Sequence, residues 1–259
     1  MRRLIATPRR FRVAVVGVRL LLVAAIIALI QVLTKHGQID PLVLPPPTKI
    51  AHHLWSTIST GEFRGDLART GSELGLAFPI GAVAGLLIGA SLASLPILGS
   101  VFEPLLATLY AIPVVVFYPI LLVYLGLNER PIILIAALTT MVPVALNTMV
   151  AFREVPPVLV KLAYSLNCSR LQRYAKVMLP AGVPLVLPGV QLGFIAGLTM
   201  TVAMEFLLAG GGLGYRISSS YSNYEPLSVW SGIVVVVVLA VVLVYLLKLV
   251  ALHVRRDMA

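Results

Sequence analysis

Six long stretches of this chain carry almost no charge, and this pattern constrains the fold more than any other feature. Residues 13–33 are interrupted only by Arg19, and residues 74–102, 104–128, 131–152, 177–204 and 226–247 contain no charged side chain. A helix needs about 20 apolar residues to cross a bilayer, because the hydrocarbon core is about 30 Å thick and each residue rises about 1.5 Å. All six stretches meet that length. They are continuously apolar, which argues against a β-barrel, whose strands alternate with period two. A soluble helical protein is also disfavoured. Only 12% of the 259 residues are charged and 59% are hydrophobic, against about 25% charged in an ordinary soluble domain. The expectation is an all-α, polytopic membrane protein with six transmembrane helices.

The first stretch is longer than the apolar region of a secretory signal, about 7–15 residues, and no small-residue cleavage site follows it. The chain continues as Thr34-Lys35-His36. The formal charge of +10 invites a nucleic-acid reading, but its placement points elsewhere. Arg2, Arg3, Arg9, Arg10 and Arg12 precede the first stretch; Arg153, Lys161, Arg170, Arg173 and Lys176 lie between the fourth and fifth; Lys248, Arg255 and Arg256 follow the last. With six crossings these segments share one side, and the positive-inside rule makes it the cytoplasm. Both termini are then cytoplasmic, and no nucleic-acid partner is expected. The single cysteine, Cys168, excludes an intrachain disulfide.

The chain reads as one membrane domain over 1–259. A basic N-terminus at 1–12 leads to the first span at 13–33. An outer segment at 34–72 contains the proline stretch Val43-Leu44-Pro45-Pro46-Pro47 and a short amphipathic helix capped by Thr48, with Ile50, Leu54, Ile58 and Trp55. That helix suits the membrane interface or a place against the bundle. A core at 74–250 and a tail at 251–259 follow. Ala77, Gly81, Gly85 and Gly89 in the second span, and Gly189, Gly193 and Gly197 in the fifth, form four-residue rows that allow close helix approach. Pro79, Pro113, Pro119, Pro143, Pro184 and Pro188 interrupt spans, which suits a transport pathway better than an anchor.

The loop at 153–180 predicts two short helices joined by a sharp turn. Pro156 and Pro157 start the first, and Val158, Leu162 and Leu166 give it an i+4 apolar stripe. Asn167 suits a left-handed residue at its end. Ser169 and Gln172 form a capping box for the second, with Leu171, Ala175 and Met178 as its stripe and Pro180 as its end. A basic hairpin of this kind either meets lipid headgroups or docks a soluble partner.

Here the sequence resembles a family. Ala163-x-x-Leu166-x-x-Ser169 followed by Val177-x-Leu179-Pro180 is similar to the EAA loop of ABC-importer permeases. Val43-Leu44-Pro45-x-Pro47, Ile112-Pro113, Pro119, Leu125-Gly126, Pro143-x-x-x-Asn147-Thr148 and Gly212-Leu213-Gly214-Tyr215 resemble the nitrate/sulfonate/taurine type, over residues 43–250. The resemblance implies a type I ABC importer permease fold in the inner membrane of a prokaryote. It implies a coupling hairpin carried by Lys161, Leu162, Ala163, Leu166, Asn167, Cys168, Ser169 and Arg170. It also implies two ATP-binding cassette subunits, a second permease copy or homologue, an external solute-binding protein and surrounding lipid as partners. The family's glutamate is Lys161 here and its loop glycine is Asn167. The first change reverses a charge at the docking surface, which calls for a matched ATPase groove or a second, different permease.

Glu205 is the one acidic residue inside a predicted span, where a charge costs about 2.5–3.5 kcal/mol. It is either a pathway or gate residue or a structural tie. Asn147, Tyr110, Tyr118 and Thr201 are the other pathway candidates, with packing as the alternative for each. The Gly210-Gly211-Gly212-Leu213-Gly214 run lacks the ending of a phosphate-binding loop, and no such loop occurs in the chain. No cofactor or metal is expected on this chain; ATP and Mg belong to the partner ATPase. The rival reading is a stand-alone channel or secondary transporter, and secondary carriers often show inverted repeats that are not evident here. The solute is left open among small anions and vitamin precursors.

Overall fold

The computed structural model describes residues 9–208 and 210–257, and no strand occurs among them. The basic residues of 1–8 and the end of the tail at 258–259 lie outside the described residues. Five helices are long and apolar enough to cross a bilayer: α1 (Arg9–Lys35), α3 (Gly61–Ser94), α6 (Arg130–Arg153), α9 (Leu179–Leu207) and α11 (Pro226–Asp257). Two further apolar helices, α4 (Pro96–Ala111) and α5 (Tyr118–Leu125), are joined through a 3-10 turn at Val114–Phe117 and bent by 79°; together they are long and apolar enough for a sixth, broken crossing or a re-entrant loop. The shorter helices are α2 (Pro47–Ile58), α7 (Pro157–Ser165), α8 (Arg170–Arg173) and α10 (Leu213–Ser222).

Span boundaries differ from those expected. The second uncharged stretch runs to residue 102, but the helix breaks at Leu95-Pro96, where Leu95 takes a non-helical φ of −120° and ψ of 84°, as the residue before a proline tends to do. Residues 61–72, expected in the outer connector, are the first turns of α3. Thr60 starts that helix by accepting from the Phe63 N–H at 3.3 Å. At 34 residues α3 is about 50 Å long, so it overshoots the hydrocarbon layer. Pro79, Pro143, Pro184 and Pro188 sit inside continuous helices, whereas Ile112-Pro113 is where a span breaks. Thr48 does not cap α2: Pro46 holds the cap position and Pro47 the first turn. The Thr48 N–H donates instead to Gln31 Oε1 of α1 at 3.0 Å.

The core lies around α6, which packs most extensively against α3 and α9. The two glycine rows explain how. A Cβ at Gly81, Gly85 or Gly89 of α3 would collide with Ala137, Thr140, Met141, Val144, Ala145 or Thr148 of α6. One at Gly189, Gly193 or Gly197 of α9 would strike Asn147, Val144 or Thr140 from the other side. Lipid supplies no hydrophobic drive for helix association, so this backbone-to-backbone fit is what holds three helices together. At the margins, α1 packs chiefly on α2, and Trp230 of α11 donates its indole N–H to the Val43 carbonyl at 2.9 Å.

Candidate functional site

Two polar constructions stand at opposite ends of α9. The first is a buried cluster at its C-terminal end. Asp66, Arg69, Thr70 and Glu73 share one face of the first turns of α3, at the three- and four-residue spacing that makes helix neighbours. They meet Glu205 and the glycine turn at 210–212. Glu205 is fully buried; it accepts from the Thr70 hydroxyl at 2.7 Å and from the Gly214 N–H at 2.9 Å. The Thr70 oxygen in turn accepts from the Leu213 N–H at 2.9 Å. Arg69 donates to Glu73 at 3.0 Å and to the Gly210 carbonyl. Asp66 accepts from the Gly212 N–H at 3.2 Å and pairs with Arg216 at 3.1 Å. Gly211 and Gly212 have φ of 118° and 95°, and a Cβ at Gly212 would overlap the Glu205 carboxyl. Only glycine adopts such angles without strain. The turn is therefore clamped onto α3 by side chains from three helices.

This corrects the sequence reading in one respect. Glu205 is not the lone acid in the bundle, because Glu73 is buried beside it. Glu73 falls just before the uncharged stretch that begins at Leu74, among the charged residues that precede it. The spacing of Asp66, Arg69, Thr70 and Glu73 was the signal available.

The structure does not gather the other pathway candidates into one chamber. Thr201 is fully buried and donates to its own helix at the Gly197 carbonyl, 2.9 Å. Asn147 donates to the Pro143 carbonyl at 2.8 Å and packs where Gly189 crosses α6. Tyr118 rests against the cluster Ile132, Ile135, Met204 and Leu208. Tyr110, at the end of α4, is half exposed on a single chain.

The second construction is the hairpin at the opposite end of α9. Pro157 opens α7, as expected, and Asn167 takes a φ of 51°, the left-handed turn. Ser169 and Gln172 close the capping box reciprocally: the Ser169 N–H donates to Gln172 Oε1 at 2.9 Å, and the Gln172 N–H to Ser169 Oγ at 3.3 Å. Arg173 stacks over the Tyr164 ring, 3.8 Å from its centroid. One expectation fails here. Pro180 does not end the second helix; a π turn at Tyr174–Met178 carries the chain directly into α9, with Pro180 in its first turn. The stripe Val158, Leu162 and Leu166 is exposed, and α7 leans inward on Ala163. Lys161 is exposed and Cys168 half-buried. The side chains of Arg170, Leu171 and Ala175 lie outside the described residues. At the same end Arg153 pairs with Glu103 at 2.6 Å, tying α4 to α6.

The described residues thus form a helical bundle of five or six candidate crossings, with a clamped turn at one end and a projecting basic hairpin at the other. The chain belongs to the family of binding-protein-dependent transport system inner membrane components, whose model matches residues 78–258. It is 33% identical over 217 residues to the putative aliphatic sulfonates transport permease protein SsuC of Bacillus subtilis (strain 168), covering 83% of this chain and 78% of that relative. It is 27% identical over 210 residues to the taurine transport system permease protein TauC of Escherichia coli (strain K12), covering 79% of this chain and 76% of that one. Among solved structures, the inward-facing MetNI methionine ABC transporter in its CY5 native crystal form matches with a TM-score of 0.65 at 21% identity, over 76% of this chain and 96% of that chain. That likeness concerns the fold, which is the type I ABC importer permease fold anticipated from the sequence. The chain is a transmembrane permease subunit of an ABC importer.

Proposed function

We propose that this subunit lines half of a translocation path, receives a small solute from an external binding protein, and is driven by two ATP-binding cassette subunits seated on the hairpin at 153–180. The chain has no phosphate-binding loop, so ATP and Mg are held by those partners. A second permease, identical or homologous, completes the path. The hairpin end is cytoplasmic, as are both termini, and the clamped turn faces outward. The relatives named for sulfonates and taurine favour a small organic anion as the solute.

The observation that carries this reading is the hairpin. Its turn is fixed by Asn167 and the capping box, yet its apolar stripe is exposed. A shaped, apolar and cationic protrusion is a built docking element, and a bundle with two forms can be biased by whatever holds it. Tyr110, half exposed at the broken third crossing, is the pathway residue this arrangement favours. Glu205, Thr201 and Asn147 serve the bundle's integrity. Purification of the tagged chain from native membranes tests the proposal. An ATPase subunit should accompany it, and uptake in reconstituted vesicles should require ATP on the hairpin side. A chain that transports without nucleotide is not this kind of permease.

A further inference from the structure

Between α9 and α11 lies a groove of about 280 Å3, far from the clamped turn. Leu187, Pro188 and Gln191 of α9 line it, with Lys248, Ala251 and Leu252 of α11. Both sets follow the three- and four-residue spacing that gathers side chains on one helix face. On α9 this face is the one turned from the core. Gln191 lies two positions from Gly189 and from Gly193, which press on α6, and two positions are about 200° around a helix.

Four of the six residues are apolar, and the two polar ones have no partner. Lys248 is exposed and forms no ion pair among the described residues. Gln191 is half-buried, and its amide forms no hydrogen bond among them. An unbonded amide facing hydrocarbon is costly, so a group that bonds it is favoured there. Neither helix brings a carboxylate near. The one acid of α9 is Glu205, at its far end, and the one acid of α11 is Asp257, more than two turns past Lys248. Depth supplies the third constraint. Lys248 is about 33 Å along α11 from Pro226, and the hydrocarbon core is about 30 Å thick. Its flexible stem therefore carries the ammonium to the level of the headgroup phosphates.

We propose that this groove binds one phospholipid of net negative charge from the leaflet on the hairpin side. Its phosphate pairs with Lys248, a glycerol-ester carbonyl accepts from the Gln191 amide, and an acyl chain covers Leu187, Pro188 and Leu252. The permease reading enters only in naming that leaflet the cytoplasmic one. A zwitterionic lipid is the poorer fit, because its ammonium finds no carboxylate and meets the like charge of Lys248. A soluble anion matches the lysine but leaves the apolar wall and the amide uncovered. Basic pockets between membrane helices on the cytoplasmic side recognise anionic headgroups through this combination of charge and apolar wall.

Native mass spectrometry of the delipidated complex, titrated separately with phosphatidylglycerol, phosphatidylethanolamine and inorganic phosphate, tests the site. One phosphatidylglycerol should bind at least fivefold more tightly than phosphatidylethanolamine, and inorganic phosphate should not compete with it. Lys248→Ala should lower phosphatidylglycerol binding at least fivefold, to the level of the zwitterionic lipid, whereas Lys248→Arg should retain it. Gln191→Leu should weaken both lipids severalfold, since both carry the ester carbonyl. The thermal midpoint of Lys248→Ala in lipid-free detergent should match that of the unaltered chain, which separates lost binding from lost folding. Equal binding of the two lipids to the unaltered chain, undiminished phosphatidylglycerol binding by Lys248→Ala, or displacement of the lipid by inorganic phosphate each overturns the inference. The measurement uses no nucleotide, so its failure leaves the permease reading standing, and failure of ATP-driven uptake would overturn that reading without touching this site.

Discussion

Thr70 shows how much of the clamped turn hangs on single atoms. Its hydroxyl donates to Glu205 and accepts from Leu213, both in buried surroundings. Thr70→Val keeps the shape and leaves two buried polar groups unpaired, each worth about 1–3 kcal/mol. The thermal midpoint of the detergent-purified protein should fall clearly. Thr201→Val should cost less, since that hydroxyl only supplements a carbonyl of its own helix. Gly212→Ala should also destabilise, by about 1–3 kcal/mol, through its positive φ and the overlap with Glu205. Gly65→Ala should be neutral or stabilising, because nothing lies within 4 Å of the added carbon and alanine is the better helix former. At this scale the sequence exposed Glu205 but not its partners. A buried acid stands out beside an uncharged window, whereas Asp66, Arg69 and Thr70 lie in residues that read as a polar connector and Glu73 at its edge. Their common face is visible once α3 is known to begin at Gly61.

Between elements, the glycine rows carry the packing, and they were plain in the sequence because four-residue spacing of small side chains has few other uses in a membrane. What the spacing did not reveal is that both rows grip one helix. Gly85→Val should therefore separate α3 from α6 and sharply reduce recovery of folded protein, while Gly75→Ala, facing open space, should be tolerated. Size-exclusion profiles of the two variants make the comparison. The hairpin was legible down to its turn, since Asn167 and the Ser169–Gln172 box are local signals. Its apolar stripe was legible as a pattern but not in direction: periodicity marks a face without saying what covers it, and here none of the described residues does. Asn167→Gly should preserve nucleotide-driven uptake. Asn167→Val, a β-branched residue forced to positive φ, should distort the turn and lower it severalfold. The third crossing was the least legible element. The uncharged stretch at 104–128 gave no sign that the helix starts eight residues earlier, at Pro96, and although Pro113 marked an interruption, it did not stand apart from Pro79, Pro143, Pro184 and Pro188, which leave their helices continuous.

For the whole molecule, a bundle whose turn is clamped at one end and whose hairpin is free at the other is suited to motion entering from the hairpin side. The fold class was readable because hydrocarbon thickness sets the length of every span, a constraint that acts on composition alone. The identity of the solute was not, because Tyr110, Tyr118, Asn147 and Thr201 do not converge on one chamber among the described residues. The central claim is that force reaches the bundle through the hairpin at 153–180. Its most direct test is ATP-dependent solute uptake by vesicles containing the complete complex, compared for the unaltered chain and for a variant with Val158, Leu162 and Leu166 all changed to Ser. The account predicts that the variant remains folded in the membrane, loses its ATPase subunits and takes up no solute. Full uptake by that variant would contradict it.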